Sequence, residues 1–162
     1  MKKSIRIISL VLVVLMLTAC GNSTKEYTCG ELTMTVPSNM LDSSGNSAFS
    51  AYTFALDSRK IAIFGVQESY AEVPELREFG LTEYTDLVIL ANGLDVLARE
   101  RSTANYRYFD YTANTDAGTY RYVVGCYETE SGFWTVQVCS LVTDFELETF
   151  LGYLDSVSFS CC

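Results

Sequence analysis

Between residues 105 and 142 the chain gives three strand-like runs crowded with aromatic residues and joined by short turns, and this pattern points to an antiparallel sheet. The runs span 105–112, 119–128 and 133–142, and the breaks at 114–118 and 129–132 are rich in Asn, Thr, Asp, Ser and Gly. A period of two sends successive side chains to opposite faces, and connections this short join only antiparallel neighbours. Closing the second break as a regular hairpin sets a register with Glu128 opposite Phe133, Cys126 opposite Thr135 and Tyr122 opposite Cys139. Tyr106 and Tyr108 then point to one side of the sheet, and Phe109 and Tyr111 to the other.

The rest of the chain supplies elements to pack on this meander. Leu32, Met34 and Val36 alternate with Thr33 and Thr35 in a strand stopped by Pro37, with a bend at Cys29-Gly30 before it and a loop over 38–47 after it. Strands at 50–56 and 60–67, joined by Asp57-Ser58-Arg59, form a hairpin. A polar connection over 68–80 leads to a helix with Thr82 as N-cap, an apolar stripe of Tyr84, Leu87, Val88 and Ala91, and a stop at Asn92-Gly93. A short apolar piece follows at 94–98. Beyond the meander, Thr143 and Glu146 fit a capping box, and Leu147, Phe150, Leu151 and Leu154 form a second helical stripe before a closing strand at 156–160. The order reads as a single α+β domain, an antiparallel β-sheet packed with helices. The segment LTMTVPSNM at 32–40, the hairpin, the first helix, the meander and the closing FLGYLDSVSF together resemble the PsbP-like fold. That resemblance implies a sandwich over nearly all of residues 26–162 and carries over no site residue.

The first twenty residues have a different character. Lys2, Lys3 and Arg6 precede an uncharged run from Ile7 to Ala19 that is shorter than the roughly 20 residues a membrane-spanning helix needs, so it reads as an export signal. Leu17-Thr18-Ala19-Cys20 followed by Gly21 resembles the lipobox of bacterial lipoproteins. The resemblance implies cleavage before Cys20, acylation of its thiol, and a cell-membrane location on the extracytoplasmic face. Stable anchoring takes more than one acyl chain, which a modified Cys20 would carry. The domain plan is therefore a signal peptide at 1–19, a short tether at 20–25 and the folded domain at 26–162.

Removing 19 of 162 residues leaves 143, enough for one domain with a sizeable core. Three of the eleven basic residues fall in the leader, so the mature part keeps eight against twenty acidic ones, a net charge of −12. Such a charge argues against nucleic acid or an anionic lipid surface as the partner, since both demand clustered Lys and Arg. There is no histidine. Its absence removes the Ser-His and Cys-His arrangements and the usual zinc sites, and none of the common nucleophile, P-loop or metalloprotease motifs occurs. No cofactor and no metal site are expected.

Three groups of residues remain as candidates. Lipidation of Cys20 leaves five cysteines, Cys29, Cys126, Cys139, Cys161 and Cys162. In the meander register Cys126 and Cys139 lie about 13 Å apart along the strands, beyond the roughly 7 Å that a disulfide spans, so they read as separate core thiols. Neighbouring terminal strands would bring Cys29 to Cys161 or Cys162, the candidate pairing. The tyrosines and arginines Tyr106, Arg107, Tyr108, Tyr120, Arg121 and Tyr122 are a candidate ligand face, since tyrosine joins apolar area to a polar tip. The carboxylates Glu68, Glu72, Glu75 and Glu78 would serve as a catalytic or calcium site only if they converged. Asp110, Asn114 and Asp116 lack the distal Glu of a calcium loop and read as turn chemistry. The expected role is a lipid-anchored, non-enzymatic accessory or interaction module of the cell envelope, with an envelope protein or cell-wall component as partner. The alternatives are a binding protein for a small ligand, metal ion or cell-wall sugar, and an enzyme with an atypical carboxylate site.

Overall fold

The computed structural model describes residues 23–94, 101–102 and 105–160. Among these, ten strands form two antiparallel sheets in a single α+β domain with two α-helices. The smaller sheet has three strands in the order β1 (Thr24–Cys29), β2 (Leu32–Pro37) and β10 (Ser158–Phe159). The larger sheet has seven, in the order β3 (Leu41–Asp42), β4 (Phe54–Asp57), β5 (Ile61–Ser69), β9 (Gly132–Leu141), β8 (Gly118–Glu128), β7 (Arg107–Thr115) and β6 (Arg101–Ser102).

The meander forms in the register its alternation dictates: Glu128 pairs with Phe133, Cys126 with Thr135 and Tyr122 with Cys139. The hairpin of β4 and β5 also forms, although its first strand starts at Phe54 and its second continues to Ser69. At Gly132 the two central strands approach so closely that a Cβ would lie 2.2 Å from the Glu68 carbonyl oxygen, which leaves room for glycine alone. β1 and β2 turn through Gly30 at φ +58°, the left-handed region that glycine enters without steric cost.

One face of the large sheet packs under the small sheet and the helix α2 (Leu147–Asp155). There Leu32, Met34 and Val36 meet Ile63, Val123, Trp134, Val136 and Val138, closed by Phe150 and Leu154. The opposite face receives the helix α1 (Leu81–Ala91), whose Tyr84 joins Leu76, Phe109, Val124 and Phe133. β9, central and covered on both faces, is accordingly buried along most of its length.

Several local expectations are corrected. The folded part starts before residue 26, because β1 begins at Thr24 and ladders with Pro37. The closing strand is reduced to two residues, Ser158–Phe159, and pairs with β2 in the smaller sheet. Gly80, not Thr82, caps α1, and the Thr82 hydroxyl instead accepts a hydrogen bond from the Arg107 guanidinium. A 3₁₀ turn over Val142–Asp144 absorbs Thr143, so no capping box forms and Glu146 takes the N-cap position of α2. The helix α1 is also rotated from its expected stripe. Tyr84 stacks on Phe133 with centroids 4.1 Å apart, and its hydroxyl donates to Glu68 Oε2 at 2.6 Å. Seating that ring turns Tyr84, Thr85, Val88 and Ile89 inward and leaves Leu87 and Ala91 exposed, with Leu90 80% exposed. The leader, Cys20, the apolar piece from residue 95 onward, Cys161 and Cys162 lie outside the described residues.

Candidate functional site

Strand direction gives the domain two distinct poles. At one, Ser23 enters β1, its carbonyl receives the Ser38 amide at 2.8 Å, and Leu41 pairs with Asp57 beside the hairpin turn at 58–60. At the other, the β1–β2 turn carrying Glu31 meets the β8–β9 turn at 129–131. Nine residues of β5 at about 3.3 Å each separate the two by about 30 Å.

The second pole holds the most highly organised polar group of the described residues. Glu31 Oε1 accepts hydrogen bonds from Ser131 Oγ at 2.6 Å, Trp134 Nε1 at 2.9 Å, Thr129 Oγ1 at 3.0 Å and Gln67 Nε2 at 3.4 Å. These donors come from β5, β9 and the β8–β9 turn, so one carboxylate ties the small sheet to the large one. Burial pushes the Glu31 carboxyl upward, but the bonds from Ser131, Trp134 and Thr129 outweigh it and hold the group below its ordinary range. A folded-state value below the unfolded one stabilises the fold above the ordinary glutamate range and loses that contribution as pH falls through the folded value. The urea midpoint of Glu31→Gln is therefore expected to lie below that of the wild type at pH 7, with the gap closing below about pH 4. A gap unchanged down to pH 3 would show that charge on Glu31 is irrelevant.

Around Glu31 opens a cavity of about 560 Å³, walled by Glu128, Thr129, Glu130, Ser131, Phe159 and Ser160. The connection to α1 leaves from Ser69, which pairs with Gly132, so the exposed Glu72, Glu75 and Glu78 belong to the same end. This pole is therefore strongly acidic. Its carboxylates do not form the catalytic or calcium arrangement considered from the sequence: Glu68 is engaged by Tyr84, and the other three splay into solvent. Among the described residues no group of three or more His, Cys, Asp or Glu is arranged to hold a metal ion.

The candidate ligand face is not assembled, and strand alternation is the reason. Tyr106 and Tyr108 are buried in the core under α2, and the Tyr106 hydroxyl donates to Asp155 Oδ1 at 2.8 Å. Arg107 lies on the α1 side. Arg121 returns to the α2 side, where its Nε donates to Asp110 Oδ2 at 2.8 Å and its guanidinium sits 4.3 Å over the Phe145 ring. Asp110 is thus an ion-pair partner and not a turn residue. Tyr120 and Tyr122 face the other way, and Tyr122 stacks on Tyr111 with centroids 4.8 Å apart and planes 6° from parallel. Burial, with Cys139 alongside, pushes the Tyr122 hydroxyl up to about 12. Next to this pair is a cavity of about 120 Å³ edged by Tyr52, Asn92, Tyr111 and Gln137. Cys126 and Cys139 are buried in separate clusters, as their register requires. Cys29 is half-buried and forms no disulfide among the described residues, while its expected partners Cys161 and Cys162 lie outside them.

Glu31 was missed in the sequence because its four donors stand 36 to 103 residues away. The acid following a turn glycine is the only local trace.

No protein-family model matches the chain, and no curated protein matches it. Among solved structures it is similar to a crystal structure from Bacteroides thetaiotaomicron VPI-5482, with a TM-score of 0.54 and 7% sequence identity over 85% of this chain. The match covers 48% of that chain, so the present chain spans about half its length. A likeness at this identity concerns the fold alone.

Proposed function

We propose that the protein is a lipid-anchored extracytoplasmic module of the cell envelope, PsbP-like in fold and non-enzymatic, which presents its domain to an envelope partner. The observation that carries this reading is the basic and apolar leader ending in Leu-Thr-Ala-Cys immediately before the folded domain. An acyl group on Cys20 would hold a domain that begins at Thr24 within a few residues of the bilayer. The order of hairpin, helix, meander, helix and short closing strand supports the PsbP-like assignment. The dispersal of Glu72, Glu75 and Glu78, and the division of the tyrosines between two faces, favour an interaction module over an enzyme or a tyrosine-lined ligand site.

Cells fed radiolabelled fatty acid are expected to label the wild-type protein and retain it in the membrane fraction. The Cys20→Ser form should lose the label. Equal labelling and membrane retention of both forms would overturn the anchoring claim.

A further inference from the structure

We infer that the pole bearing Ser23 is the face that rests on the lipid surface, with Leu41 and the hairpin turn Arg59-Lys60 at the interface and the acidic pole held outward. This rests on the lipid-anchor reading and adds an orientation to it. Cys20 precedes Ser23 by three residues, and an extended chain covers about 3.5 Å per residue, so Ser23 would lie within about 10 Å of an acylated Cys20. Ser23 itself edges a cavity of about 880 Å³ together with Ser38, Leu41, Arg59 and Lys60, so these side chains are brought to the bilayer with it. Leu41 is 69% exposed at the sheet edge, an apolar side chain suited to the headgroup region.

Charge selects the upright posture over a tilted one. Arg59, Lys60 and Lys25 gather at the Ser23 pole among Asp42, Asp57, Asp116, Asp144, Glu146 and Glu148, which leaves that pole less acidic than the opposite one; Lys60 bonds Asp144 at 3.1 Å and Lys25 donates to the Met40 carbonyl. The opposite pole carries Glu31, Glu72, Glu75, Glu78, Glu128 and Glu130 against the single Arg77. About 30 Å from the surface, that pole lies beyond the Debye length of roughly 10 Å at 0.1 M salt. Tilting would bring its carboxylates within reach of anionic headgroups and raise the energy. The net negative charge noted from the sequence is thus compatible with a lipid-apposed face: the tether supplies the attraction, and the charge distribution sets the angle.

The protein has one tryptophan, Trp134, buried at the outer pole beside Glu31, which gives the test an internal control. The mature lipidated protein, as wild type, Leu41→Trp and Arg59→Trp, would be reconstituted into vesicles of phosphatidylcholine and phosphatidylglycerol containing brominated phosphatidylcholine. The wild-type emission is expected to be unaffected by bromine, whereas the added emission of Leu41→Trp and Arg59→Trp should be mostly quenched. Quenching of Trp134, or no quenching of either new tryptophan in protein that floats with the vesicles, would overturn the orientation while leaving the anchor intact. Failure of the wild type to float with the vesicles would overturn the anchor and the orientation together.

Discussion

Replacing Arg121 with methionine is expected to destabilise the domain by about 2–4 kcal/mol, because the change strands a buried carboxylate. The Asp110 side chain is 2% exposed, against 31% for Arg121, so the acid depends on its partner far more than the base does. Asp110 Oδ2 is bonded to Arg121, and Oδ1 has no hydrogen-bond partner among the described residues. Removing Arg121 therefore leaves a desolvated charge with no compensation, while the methionine keeps the stem packed near Phe145. Adding Asp110→Asn in the same chain removes that charge and should restore most of the lost stability. Urea midpoints of the two variants check this; a silent Arg121→Met, or a double variant no better than the single one, would contradict it.

Trp134→Ala should cost more, about 3–5 kcal/mol, and should act on both sheets at once. Trp134 is wholly buried, lies near Phe54 and Phe159 at centroid distances of 6.3 Å each, and donates its indole N–H to Glu31. It therefore joins the packing between the sheets to the hydrogen-bond network at their outer end. Trp134→Phe separates the two contributions. It keeps much of the ring and loses the donor, for an expected cost of about 1–2 kcal/mol. Chemical unfolding of both variants gives the comparison. A phenylalanine variant as unstable as the alanine variant would mean that the hydrogen bond, and not the packing, dominates.

How much of this could be read in advance follows from the range of the interactions involved. The meander register was legible because alternation and a short glycine-bearing turn are local signals, and both Glu128–Phe133 and Tyr122–Cys139 follow from them. The same alternation already required Arg107 to part from Tyr106 and Tyr108, and Arg121 from Tyr120 and Tyr122, which is why the six-residue ligand face did not assemble. The rotation of α1 was not legible: Tyr84 is set by Phe133, Glu68 and Thr135, all remote in sequence, and they outweigh the periodicity that favoured Leu87 and Ala91. The third strand of the small sheet was not legible either: the two residues of β10 pair with β2 across some 125 residues. The Asp110–Arg121 pair did leave a trace, since an acid within the strand run Tyr-Phe-Asp-Tyr needs a partner once that strand is buried.

The central claim concerns Cys20, and the mass of the N-terminal peptide of protein taken from its own membranes tests it most directly. A chain beginning at Cys20 and carrying acyl mass on that residue is expected. A peptide that retains residues 1–19, or an unmodified Cys20, would contradict it.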